Sequence, residues 1–186
     1  MTTVFIAGSI SIKNLDERVK QRIDNVIAQG YSILVGDADG VDSSIQAYLQ
    51  ESETSNISVY CSGNKPRNNL GNWPVKSVAV NNLKAGSRAF YTAKDLQMAK
   101  DADFGLMIWD LKSAGTLSNV VELLERDKKS AVFVNKTKAF YDVGDISKLE
   151  ELLTYMSPIA LQKVDAKIGI LKRIAQYKNE QPDLFA

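Results

Sequence analysis

The stretch ILVGDADGVD, residues 33–42, decides how this chain folds. Three apolar residues run directly into a glycine-rich turn, and the turn leads into a segment carrying Ile45, Tyr48 and Leu49 at helical spacing. A short run that is wholly apolar fits a strand covered on both faces, the habit of parallel sheets flanked by helices. A second junction of the same kind follows the apolar run 105–109, where Asp110 leads into the turn KSAGT, residues 112–116. Where a buried strand hands over to a helix, the free amides of the helix start face outward. Two such junctions at one sheet edge suit an anionic or ribosyl ligand.

Working outward, further apolar runs lie at 4–7, 57–61 and 131–134, separated by segments of helical period. Between the first two runs, Leu15, Val19, Ile23, Val26 and Ile27 form one stripe, with Asn14 and Glu17 spaced as a capping box and Gly30 as the stop. Strands alternating with helices of crossover length predict an α/β fold with a mainly parallel sheet. Residues 62–88 interrupt the rhythm with asparagine, glycine and proline, and read as a long loop holding one short strand at 75–80. Thr92 with Asp95 predicts a helix start running through Ala99, and Asp145 predicts another, burying Ile146, Leu149, Leu152, Leu153 and Met156. Ser157 and Pro158 open a last helix over 158–178, which carries Lys163, Lys167, Lys172, Arg173 and Lys178 against Asp165. The expected organisation is one ligand-binding domain over 1–157, a basic helix packed on it over 158–178, and a tail over 179–186.

Composition removes several chemistries. Among 186 residues there is no histidine and one cysteine, Cys61, so imidazole catalysis, a zinc site and an internal disulfide are all excluded. No metal and no cofactor is expected. No apolar run approaches a membrane span and the start MTTVFIAG lacks a basic leader pattern, so the expectation is a cytoplasmic protein without membrane contact. With 23 basic and 22 acidic residues the whole chain has no basic excess, and any DNA contact has to be local.

The candidate ligand contacts are the residues that a parallel sheet brings to its carboxyl edge: Gly8 and Ser9 after the first strand, Gly36 to Asp42 after the second, and Asp110, Ser113, Gly115 and Thr116 after the fourth. Gly40 suits a positive backbone angle, and Asp42 reads either as a helix cap alone or as a ligand contact. Asp37 and Asp39 would repel a phosphate but accept hydrogen bonds from a ribose diol; the alternative is that they make turn hydrogen bonds and face water. Thr116 reads as a cap for the helix carrying Val120, Val121 and Leu124. Arg88, Tyr91 and Lys94 are placed to close over a phosphate.

These residues resemble a family. Gly36, Ala38, Gly40 and Asp42 match the G-x-A-x-G-x-D turn of the SLOG superfamily of Rossmann-like nucleotide-binding proteins, in its YspA, cpYpsA-related branch. Lys94, Asp95, Met98, Trp109, Asp110, Ser113, Gly115 and Thr116 match the second half of that pattern, and the resemblance spans residues 4–134. It implies a Rossmann-like three-layer sandwich with a C-terminal helical extension, binding a nucleotide or nucleotide-derived ligand. Phosphoribohydrolase and deoxyribosyltransferase relatives go further and cleave or transfer at an N-glycosidic bond, with a glutamate three residues after the turn threonine. Asn119 stands there in this chain, and an amide cannot serve as the carboxylate that such a transition state requires. Those phosphoribohydrolases also carry a proline and paired glycines where this chain has Lys112, Ser113 and Ala114. The expectation is therefore binding without turnover, with Asn119 among the ligand contacts. The runner-up is a glycosidase or transferase using Asp39, Asp110 or Glu122.

More distant DprA-like relatives act beside single-stranded DNA, and for that reading Lys65, Arg67, Trp73 and Lys76 in the long loop form a stacking and phosphate platform. The alternative is a solvated loop with Trp73 packed beneath it. Gln181, Asp183, Leu184 and Phe185 in the tail resemble the peptide by which bacterial DNA-processing proteins dock on the DNA polymerase sliding clamp; the alternative is a tail that folds back on its own core or on a partner copy. Pairing into a homodimer is a further expectation, from the apolar content of the last helix.

Overall fold

The computed structural model describes residues 1–52 and 54–180. Its strands are β1 (Thr3–Gly8), β2 (Ser32–Gly36), β3 (Ile57–Ser62), β4 (Val75–Val78), β5 (Phe104–Trp109), β6 (Ser130–Val134) and β7 (Ala139–Val143). They form one sheet in the order β4-β3-β2-β1-β5-β6-β7, parallel throughout except that β7 runs antiparallel to β6. The chain steps outward from β1 to β4 and then returns to place β5 on the other side of β1. The strand order therefore reverses between β1 and β5, and the carboxyl ends of that pair form the crevice where open sheets take ligands.

Side-chain alternation along the buried strands fills two cores. Val4, Ile6, Ile33, Val35, Leu106 and Ile108 face α1 (Glu17–Ala28) and α2 (Val41–Glu51). Phe5, Ala7, Leu34, Met107 and Trp109 face the opposite layer. That layer holds α3 (Arg88–Asp101), α4 (Ala114–Leu124), α5 (Ile146–Leu153), α6 (Pro158–Ile168) and α7 (Ile170–Glu180). The predicted α/β sandwich with a mainly parallel sheet and C-terminal helices is the fold observed. No helix among the described residues is long and apolar enough to cross a membrane.

Several local expectations are corrected. The cap of α1 is Asp16, whose carboxylate accepts from the Arg18 amide at 3.0 Å, and not Asn14. Thr92 and Asp95 lie inside α3, which starts a turn earlier because Ser87 accepts from the Phe90 amide. The last helix is two helices: Gly169, at φ 60°, takes the left-handed conformation that ends α6, and α7 begins at the next residue. Asp145, Ser157 and Pro158 do start α5 and α6 as read. β7 escaped the sequence reading because AFYDV is an edge strand, apolar at only some positions and joined to β6 by a hairpin.

Candidate functional site

Three loops leave the carboxyl ends of β2, β1 and β5 side by side, and glycines let them close up. A Cβ on Gly8 would lie 2.3 Å from the Ile108 carbonyl oxygen, so β1 and β5 end in close contact. Just beyond, the Ser9 amide donates to the Ile108 carbonyl at 2.9 Å, and Ser9 Oγ accepts from the Asp110 amide at 3.1 Å. The same hydroxyl lies 3.2 Å from Thr116 Oγ1, which also donates to Ser113 Oγ at 3.1 Å. Ser113, rather than Thr116, caps α4, accepting from the Thr116 amide at 3.3 Å. The amides of Ala114 and Gly115 meet no acceptor, and a Cβ on Gly115 would find open space on all sides but Ser113 Oγ at 3.9 Å.

Asp110 is fully engaged in holding this turn. Its Oδ1 accepts from the Lys112 and Ser113 amides at 2.9 and 2.7 Å, and its Oδ2 from Ser11 Oγ at 2.6 Å. Burial opposes its charge, but the hydroxyl and amide donors outweigh burial and hold its pKa below the usual carboxylate value. Glu122 is equally committed: it pairs with Arg126 and, at 2.6 Å, with Arg173, and so ties α4 to α7.

The other turn is built on buried charge. A Cβ on Gly36 would lie 2.3 Å from Asp42 Oδ2 and 2.5 Å from Lys94 Nζ, so only glycine lets these two groups meet beneath the turn. Asp42 is not the cap of α2: Gly40 occupies that position with no side chain to offer, and Asp42 is the second helical residue. Its carboxylate accepts from the Ala38 amide at 3.3 Å and lies 3.6 Å from Lys94 Nζ, which is 2.6 Å from Asp95 Oδ1. Burial pushes Asp42 up to about 6 against the pull of Lys94. Burial disfavours the Lys94 ammonium too, yet Asp95, Asp42 and Asp37 more than offset it and hold the ammonium charged. Lys94 is 4 % exposed, so it braces the turn from within rather than closing over it from solvent.

Asp37 does not face water. Arg67 binds it through its guanidinium and its own amide, and Asn68 Nδ2 donates both to the Asp37 carbonyl at 2.9 Å and to Asp39 Oδ1 at 3.0 Å. Asp39 remains the exposed carboxylate of this turn. Gln46, fully buried, donates to the Gly36 and Asn68 carbonyls and accepts from the Leu70 amide, which binds the long loop to α2. Arg67, Asn68 and Gln46 were not read as parts of this turn because their partners lie 10 to 31 residues away, beyond any local pattern. The Ser113 cap left a trace: a serine three residues before a threonine at a helix start.

The β1–α1 loop joins the two turns. A Cβ on Gly40, at φ 78°, would lie 2.3 Å from the Ile10 carbonyl oxygen, while the adjacent Ser9 and Ser11 bond to Asp110. Asn119, one helical turn beyond Thr116, is 5 % exposed and its side chain makes no hydrogen bond. Among the described residues the buried side-chain atom sealed from solvent without a partner is Ser130 Oγ, so the Asn119 amide keeps its polar atoms open to solvent. Arg88 is exposed at the first position of α3.

Of the platform expected for bases, Lys65, Arg67 and Lys76 are exposed and Trp73 is partly buried, and three of the four have partners within the fold. Trp73 packs against the core on the α1–α2 side, held by Asn69 through its amide and carbonyl at 3.0 and 2.9 Å. Lys76 pairs with Asp101, and Arg67 with Asp37. Gln181, Asp183, Leu184 and Phe185 lie outside the described residues. A hollow of about 670 Å³ lies away from these turns, at the amino edge of the sheet between α1 and β7.

No protein-family model and no curated protein matches the sequence. Among solved structures the chain is similar to DNA processing protein A from Helicobacter pylori, studied for its unique single-stranded DNA binding mode. The likeness covers 90% of this chain and 80% of that one, with a TM-score of 0.57 and 16% sequence identity. At that identity it speaks for a shared fold.

Proposed function

We propose that this chain binds a nucleotide or nucleotide-derived ligand at the carboxyl edge of its sheet and does not turn it over. The observation that carries this reading is the start of α4. Unpaired amides of Ala114 and Gly115, the hydroxyls of Ser9, Ser113 and Thr116, and the unpartnered amide of Asn119 gather beside the β1–β5 crevice. Such a set offers hydrogen bonds to phosphate and sugar but contains no acid or base. The candidate carboxylates argue against chemistry: Asp110 is consumed by the turn and Glu122 by arginines, leaving Asp39 as the exposed one. The sequence likeness to the SLOG superfamily supports the same ligand class.

Calorimetric titration with adenosine and guanosine mono- and diphosphates, followed by chromatography of the mixture, tests the reading. Saturable binding without release of free base is expected. Failure of every nucleotide to bind dismisses the reading, and base release replaces it with a glycosidase.

The second reading is a DprA-like protein that contacts single-stranded DNA, supported by the likeness to the Helicobacter pylori protein. With Trp73, Lys76 and Arg67 engaged in the fold, that reading rests on Lys65, Lys112, Arg88 and other exposed cations. It predicts oligonucleotide binding that weakens steeply with salt.

A further inference from the structure

β6 and β7 are joined by a hairpin over residues 135–138 instead of a crossover helix, so β7 ends the sheet with one edge unpaired. Among the described residues, no backbone group of β7 bonds to anything outside the β6–β7 ladder. The opposite edge, β4, is blunted by Lys76 within it, whereas AFYDV in β7 carries no lysine and no proline. An edge of this composition is a template for a further strand.

The side chains on β7 select the occupant. Phe140 faces α1, and the Arg22 guanidinium of α1 lies 4.5 Å from its ring centre without an ion-pair partner. Asp142, two residues on and therefore on the same face, is exposed, and its carboxylate makes no hydrogen bond or ion pair. One patch thus carries an unpaired cation and an unpaired anion, as a self-complementary surface requires.

We propose that two copies of this chain associate by antiparallel pairing of β7 with β7 about a two-fold axis at Tyr141. Directly opposed residues of an antiparallel pair share a face, so the axis must pass at a residue, and an axis at Tyr141 engages the whole strand. Ala139 then meets Val143, Phe140 meets Asp142, and Tyr141 meets its own copy. Asp142 of each copy is set beside the Phe140 ring on which Arg22 of the other rests, forming two symmetric ion pairs across the junction. The sheet continues through both copies. The loops after β1, β2 and β5 stay open, because β6 stands between β5 and the junction.

Sedimentation equilibrium of the full chain is expected to show a dimer. Arg22→Asp and Asp142→Arg should each weaken it about ten-fold, because each sets like charges together twice per dimer. The double exchange should restore it. Thermal melts of the single variants monitored by circular dichroism should stay cooperative, since neither side chain holds an ion pair within its own copy. A monomer at every attainable concentration, a dimer indifferent to both exchanges, or a double exchange that fails to rescue overturns the proposal.

Discussion

Arg67 grips Asp37 in a two-pronged pair, Nη2 to Oδ1 at 2.7 Å and Nε to Oδ2 at 3.1 Å, and adds its own amide to Oδ2 at 3.0 Å. The guanidinium also lies 4.6 Å from the Tyr91 ring centre, so one side chain ties the long loop to the turn after β2 and to α3. The carboxylate that sequence placed at a ribose is thereby occupied.

Arg67→Ala should destabilise the fold by about 2 kcal/mol, the scale for removing a charged hydrogen-bond partner from a buried carboxylate. Arg67→Lys should recover little of this, because an ammonium cannot reproduce the fork. Urea denaturation of the three proteins measures both.

Asp37 also sets an acid limit. Burial opposes its charge, but Arg67 outweighs burial and lowers its pKa below 3.8. A lowered folded pKa gives stability that is present above the unfolded value and is lost as pH falls through the folded one. Unfolding free energy should therefore drop below about pH 4, and Asp37→Asn should flatten that drop in a pH series of urea melts.

Asp42 has the opposite sign. Its pKa is raised to about 6, so its contribution is fully present below the unfolded value and declines as pH rises through 6. A carbon-detected carboxyl titration should find a midpoint near 6 for this residue. A midpoint at or below 3.8 would show that Lys94 governs the carboxylate and burial does not.

Lys94→Met should be among the most damaging single changes, at about 3–5 kcal/mol, because it leaves the Asp42 carboxylate buried without its cation. Asp95→Asn, at a site that is less buried and leaves the Lys94–Asp42 contact standing, should cost less. Thermal denaturation of both variants ranks the two effects.

Gly40→Ala and Gly169→Ala separate backbone strain from steric exclusion. Both glycines have positive φ, but a Cβ at Gly169 meets nothing within 4 Å, while at Gly40 it collides with the Ile10 backbone. The change at Gly169 should cost about 1 kcal/mol. That at Gly40 should cost more and also displace the β1–α1 loop, visible as amide shifts at Ser9 and Ile10.

Much of the layer arrangement was legible because buried strands and amphipathic helices write their period into the chain. The runs at 33–35 and 105–109 became β2 and β5, and the glycines after them mark real junctions at the carboxyl edge. Caps were legible where the capping residue stood alone before the helix, as at Asp145 and Ser157. They were misread where several capping residues competed, as at Asn14 and Asp16 or Thr92 and Ser87.

Sequence by itself determined the fold class, the two glycine junctions and the absence of histidine chemistry, since these depend on local period, backbone freedom and composition. Only the tertiary structure decided which charges are free. Asp37, Asp42, Asp110 and Glu122 look alike in the chain as acids near or after a turn. Their partners Arg67, Lys94, Ser11 and Arg173 come from 30 to 99 residues away, and only packing brings them within hydrogen-bond or ion-pair reach. The physical reason is that burial makes an unpaired charge costly, so folding assigns each carboxylate a partner that no local pattern announces.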